Sequence, residues 1–184
     1  MSLVEKVQTM RFFSLLFITL IISTSAQARE ACYSMSEAEA EQGVRIHSEL
    51  MVIGLNCQHM WPSKNGQNLF QQYRLFTSNH ADLFSGYDTI LLNFYKKSGM
   101  TSTQAESELN AIRTAVANRI SNDAAKMRPD LFCKHYAPRI EKASKMSEAK
   151  IRKWAQTFFD SHPVSLPLCK TEAQIKRQKY LLIP

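Results

Sequence analysis

Apolar residues recur at spacings of three and four along nearly the whole chain. No stretch shows the alternation of apolar and polar residues over six or more positions that a half-buried strand needs. The clearest series is Leu69, Tyr73, Phe76, His80, Leu83, Tyr87, Leu91 and Phe94. Because a helix places residues at this spacing on one face, the chain is predicted to be all-α.

Start and stop signals divide the chain into about five helices. The predicted helices begin at Ser36, Leu69, Thr103, Pro129 and Ser147. In the first and third, a glutamate three residues later (Glu39 and Glu106) completes a capping box, and Pro129 suits the first turn of a helix. We expect these helices to form an up-and-down bundle, with residues 161–168, which contain two prolines, as an extended strap.

The amino-terminal segment has the layout of a secretory signal. Residues 12–22 are apolar except for Ser14 and Thr19, they follow Lys6 and Arg11, and Ala28 closes a small-residue cleavage site. The run is too short to span a membrane, which takes about 20 residues. Residues 1–28 are therefore predicted to be removed, leaving 156 residues in the periplasm or secreted, with no transmembrane segment.

Basic residues are concentrated at the carboxyl end of a chain whose net charge is +7. Residues 126–184 hold 13 basic and 5 acidic groups, against 8 and 10 in residues 29–125. Residues 29–169 are predicted to form the helical domain and 170–184 a basic tail. The positive charge of this region predicts a contact with an envelope protein or an anionic surface, and not with nucleic acid. The residues assigned to it are Lys170, Lys176, Arg177 and Lys179. A solvated helix surface is the alternative interpretation.

Four cysteines in an exported chain favour two disulfides. Cys32 cannot reach Cys57, because the intervening helix holds them about 30 Å apart and bridged Cα atoms lie within about 7 Å. An up-and-down bundle brings Cys57 to Cys133. A strap that returns along the bundle would bring Cys169 to Cys32.

A zinc site is the alternative for two of these cysteines. Cys57 with His59 and Cys133 with His135 repeat a C-x-H unit, and two thiolates with two imidazoles suit tetrahedral zinc. Residues two apart on a helix point about 200° from each other, which argues against shared coordination. We therefore predict disulfides, with no metal and no cofactor.

No nucleophile, phosphate-loop or haem-attachment motif is present, so an enzyme is the second hypothesis. A small hydrolase or glycan-acting enzyme would use Glu49, His47 or His80 in a cleft. The spacing of Glu41, Arg45 and Glu49 instead predicts a ladder of ion pairs on an exposed stripe.

One set of residues resembles a pattern found in small exported helical proteins of alphaproteobacteria. It comprises Ala31-Cys32, Ser48-Glu49-Leu50-Met51-Val52 with Leu55 and Cys57, Leu109-Asn110, Ala117-Asn118 with Ser121, and Phe132-Cys133. The pattern covers most of residues 31–133 and leaves His135 to Pro184 unmatched. The resemblance implies a periplasmic helical protein and supplies no catalytic residues.

Mass spectrometry of the native protein tests the export prediction. We expect an amino terminus at Arg29 and no free thiol, because cleavage and oxidation both accompany export. An intact Met1 together with four unmodified thiols would contradict it.

Overall fold

The computed structural model describes residues 32–158 and 163–170. Within those ranges there are no strands, only two isolated bridges, so the predicted all-α class is confirmed. The described helices are α1 (Met35–Cys57), α2 (Leu69–Asn79), α3 (Ala81–Lys97), α4 (Ser102–Lys126), α5 (Pro129–Tyr136), α6 (Pro138–Ala143) and α7 (Glu148–Ala155). The predicted signal, residues 1–28, lies outside the described residues.

Helix α1 is the centre of the fold and contacts each of α2 to α7. Its buried residues occupy more than one side of the helix, from Ala38 to Cys57. Two glycines allow close approach: a Cβ on Gly43 would lie 2.2 Å from Tyr87 Cδ2, and one on Gly54 would lie 3.3 Å from Phe70 Cα. Among the described helices, none is long and apolar enough to cross a bilayer.

Two predicted helices are each divided in two. The apolar series through His80 continues across a bend, where His80 has φ −122° and ψ 27° and separates α2 from α3. The break between α5 and α6 falls at Ala137 and Pro138. Proline lacks the N–H that would continue the helical hydrogen bonds, so α6 begins a new segment.

The predicted caps of the first and third helices were each two residues too late. Ser34 caps α1 in a box with Glu37, and Thr101 caps α4 in a box with Gln104. Ser36 therefore lies inside the first turn of α1. The predicted starts at Leu69, Pro129 and Ser147 agree with the structure, with Ser147 as the N-cap of α7.

The predicted disulfide frame is present and ties both ends of α1. Cys57 is bonded to Cys133 in α5 with Cα atoms 5.5 Å apart, and Cys32 is bonded to Cys169 with Cα atoms 4.9 Å apart. Beside the second bond, Cys169 N–H donates to the Tyr33 carbonyl and Tyr33 N–H donates to the Pro167 carbonyl, each at 2.8 Å. Residues 163–169 therefore form a strap against the start of α1.

The ion pair between Glu41 and Arg45 that the ladder on α1 predicts is present, but the predicted exposure of this stripe is wrong. Glu41 is fully buried, with Arg45 bonded to it and the Ser165 N–H and hydroxyl donating to it from the strap at 2.9 Å. Glu39 is 8% exposed and accepts from the Tyr87 hydroxyl at 2.9 Å. A buried carboxylate needs such donors because removing it from water is costly.

Gly43 in α1 and Gly86 in α3 provide a matched test of packing. Gly43→Ala should destabilise the protein by about 1–3 kcal/mol or more, because the new methyl group meets the Tyr87 ring. Gly86→Ala, inside α3 with nothing within 4 Å of the new carbon, should stabilise it by about 0.4–1 kcal/mol. Urea unfolding of both variants measures the difference, and equal effects would contradict this packing.

Candidate binding site

The three residues of the enzyme hypothesis do not converge on one site. Glu49 forms ion pairs with Arg139 and, at 3.8 Å, with Arg119. His47 lies on the opposite side of α1, because residues two apart on a helix point about 200° from each other. The Glu49 carboxylate therefore serves to hold α4 and α6 against α1.

His47 is enclosed mainly by aromatic rings. Its Nε2 lies 3.2 Å from the Tyr73 hydroxyl, and the centroid of its ring is 5.0 Å from that of Phe84. Burial lowers the pKa of His47; the Asp88 carboxylate opposes this shift and the Arg113 guanidinium adds to it. Burial also raises the pKa of Tyr73 to about 12. Both side chains are thus neutral near pH 7, as expected of core residues.

His80 lies at the bend between α2 and α3, with its ring centroid 5.3 Å from that of Phe76. Phe76 in turn contacts Phe84, which contacts His47. Ring contacts therefore link the two histidines through two phenylalanines.

The zinc alternative is contradicted by the bond between Cys57 and Cys133. Their sulfur atoms are joined to each other and cannot act as thiolate ligands. Among the described residues, no group of three or more His, Cys, Asp or Glu side chains is placed to hold a metal ion.

In the carboxyl third, arginines and lysines differ in whether they form ion pairs. The arginines bind carboxylates: Arg139 pairs with Glu49, and Arg152 pairs with both Glu39 and Glu148. Six exposed lysines form no ion pair within the described part of the chain. These unpaired lysines are Lys126, Lys134, Lys142, Lys145, Lys150 and Lys153.

Four of these lysines lie on α6, on α7 or on the turn between them, in a segment that runs beside α1. Ile140 Cδ1 lies 3.5 Å from the position of a Cβ on Gly54, and Arg152 reaches Glu39 at 3.2 Å. Gly54 and Glu39 are separated by about 22 Å at a rise of 1.5 Å per residue. The segment from Ile140 to Arg152 therefore follows α1 over about 20 Å. We call Lys142, Lys145, Lys150 and Lys153 the lysine row.

The predicted partner-binding tail lies mostly outside the described residues. Lys176, Arg177 and Lys179 fall there, whereas Lys170 is described, is exposed and directly follows Cys169. The bond from Cys169 to Cys32 therefore places Lys170, the first residue of the predicted tail, near the start of α1.

A pocket of about 250 Å³ lies next to the lysine row. It is formed by a hairpin after α1, one face of α2 and the turn after α6. We call it the hairpin pocket, and its lining residues are Lys64, Asn65, Gln67, Gln72, Leu75, Phe76, Asn79, Ser144 and Lys145.

The hairpin has the geometry expected of an Asn-Gly turn. Asn65 and Gly66 have φ of 52° and 73°, and Lys64 and Gln67 exchange two backbone hydrogen bonds of 2.9 Å. Positive φ at both central residues defines a type I′ turn, which Asn-Gly favours. The Gln72 side chain, only 6% exposed, donates to the Gln67 carbonyl at 3.2 Å and fixes the hairpin on α2.

Contacts between residues far apart in the sequence place the turn after α6 against the hairpin. Trp61 Nε1 donates to Glu141 at 3.2 Å, which ties the chain before the hairpin to α6. The bond from Cys57 to Cys133 holds the end of α1 to α5, directly before α6. Together they place Lys145 on the same pocket as Lys64. Sequence reasoning missed this pocket, and the only local signal for it is the Asn65-Gly66 pair.

No protein-family model, curated protein or solved structure matches this chain.

The buried imidazole of His47 should make stability depend on pH. Its pKa is lowered in the folded protein, so the unfolded chain binds the proton more readily and stability falls as pH drops below about 6.5. His47→Gln should flatten this part of the profile in urea unfolding between pH 5 and 8. His59→Gln, at an exposed position, is the control, and an unchanged profile in the first variant would contradict the assignment.

Proposed function

We propose that this chain is a binding module, periplasmic or secreted, that contacts an extended anionic partner of the cell envelope through its carboxyl third. The observation that supports this is the lysine row, four exposed lysines that form no ion pair with other described residues and belong to a segment that follows α1 over about 20 Å. Unpaired cations in a row suit a partner with repeated negative charge, since their potentials add along its length.

The distribution of carboxylates supports the same proposal. Glu39 and Glu49, which could neutralise nearby lysines, are instead bound by Arg152 and Arg139. A guanidinium suits a fixed carboxylate, whereas a lysine ammonium keeps its mobility and hydration at the surface. The lysines therefore remain available to an external anion.

The location rests on the two disulfides and the apolar amino-terminal run. Disulfides persist in oxidising compartments and are rare in the cytoplasm, so the bonds of Cys32 and Cys57 are consistent with export. We propose that residues 1–28 act as the signal that directs it.

The scaffold we propose is an up-and-down bundle. The end of α1 lies beside the start of α2, where Gly54 approaches Phe70, and Tyr33 before α1 contacts Phe94 near the end of α3. These contacts are those expected when α1 is antiparallel to the α2 and α3 pair. In such an arrangement the lysine row stays on the outside of the bundle.

Neutralising part of the row tests the proposal. Lys150→Gln combined with Lys153→Gln should lower retention of the oxidised protein on sedimented cell envelopes about three- to tenfold. The loss should be larger at low salt, because salt screens exposed charges. Cosedimentation at several salt concentrations measures it.

The matched control is Lys96→Gln with Lys97→Gln, which removes two exposed charges at the end of α3. It should leave retention nearly unchanged. Equal losses in both double variants would mean that net charge alone acts, and unchanged retention in the first would refute the lysine row as the contact.

A further inference from the structure

We propose that the hairpin pocket binds one acidic sugar unit, a pyranose ring that carries a carboxylate. This inference rests on the proposed function, because such a unit would belong to the anionic partner that the lysine row contacts. The ligand is recognised by three features of the pocket: two cations, several unused carboxamides and a small apolar area.

The cations come from two different walls. Lys64 lies on the hairpin and Lys145 lies on the turn after α6. Neither lysine forms an ion pair in the described part of the chain. The lining contains no aspartate or glutamate. A carboxylate entering the pocket therefore finds two lysines and no acidic residue among the residues that line it.

The carboxamides match hydroxyl groups. Asn65, Gln67 and Asn79 line the pocket, and their side chains make no hydrogen bond with other described residues. Gln72 donates one bond to the Gln67 carbonyl and keeps its own side-chain oxygen for a further partner. Each carboxamide has donors and an acceptor, as a hydroxyl group has both, so a polyhydroxylated ring can use all of them.

Size and shape favour a single ring. A volume of about 250 Å³ lies below the range of about 300–1,000 Å³ that suits drug-sized ligands. Leu75, which is 49% exposed, offers an apolar surface to the C–H groups of a sugar face. Inorganic phosphate could accept hydrogen bonds from the carboxamide N–H groups, but it offers few hydroxyl donors to the carboxamide oxygens and no C–H face to Leu75, so the lining favours a sugar acid.

The walls are fixed before a ligand arrives. The type I′ turn holds Lys64 and Asn65, and the bond from Trp61 to Glu141 holds the hairpin against α6. A preformed site loses less conformational entropy on binding. A weak single-sugar contact can therefore be specific, while the lysine row adds affinity for a longer partner.

Two sugars that differ at one group test the inference. Galacturonic acid has a carboxylate where galactose has a hydroxymethyl group. We expect galacturonate to shift the amide NMR signals of the pocket residues with a dissociation constant on the order of a millimolar. Galactose should bind about tenfold more weakly or not at all. Trigalacturonate should bind more tightly than the free acid if the natural source is a polymer, and equally if it is the free sugar acid.

Point variants assign the binding to this pocket. Lys64→Gln and Asn79→Ala should each weaken galacturonate binding about threefold or more, since each removes one group from the lining. Lys97→Gln and Asn122→Ala, at exposed positions elsewhere, are the matched controls and should bind as the parent does. Circular dichroism checks that all four variants keep their helices.

The outcomes separate this inference from the proposed function. The pocket assignment is overturned if galactose binds as well as galacturonate, if the pocket variants bind normally, or if inorganic phosphate or an acidic peptide displaces galacturonate at equal concentration. Envelope retention that depends on Lys150 and Lys153 would then still stand. Galacturonate binding with retention unaffected by those lysines would support the pocket and refute the lysine row.

Discussion

Burial of α1 among all the other described helices is the constraint on which the structure depends. This helix carries acidic residues as well as apolar ones, and a buried carboxylate without donors would cost several kcal/mol. Glu41 obtains its donors from Arg45 and from Ser165 in the strap. Glu39 obtains its own from α3 and α7. Segments more than 100 residues away are thereby drawn onto α1.

The same constraint determines which charges remain at the surface. Arg139 and Arg152 stay partly exposed but pair with carboxylates of α1, since a guanidinium binds a carboxylate with defined geometry. The lysines between and beside them have no such partner among the residues that the structure describes, and they are exposed. A basic surface is therefore a consequence of how the core is neutralised, and this connects packing to the proposed binding of an anion.

The sequence predicted the helical class and the disulfide frame well, because apolar spacing and the order of the cysteines along the helices are properties of the chain itself. It predicted the caps and the polar contacts poorly. Ser34 and Ser36 are both plausible caps by residue type, and only the observed bond to Glu37 distinguishes them. The i, i+4 spacing of Glu41, Arg45 and Glu49 suggested an exposed stripe, since spacing within one helix says nothing of what packs against it.

The hairpin pocket shows which features depend on the local sequence and which depend on the tertiary fold. The sequence by itself determined the Asn65-Gly66 turn and the helical face of α2, since both depend on neighbours within a few residues. Only the tertiary structure decided that Lys145 joins Lys64 on one pocket, that Glu49 pairs with Arg139, and that His47 contacts Tyr73. These arrangements depend on contacts between residues that are far apart in the chain, and local patterns of residue type do not record such contacts.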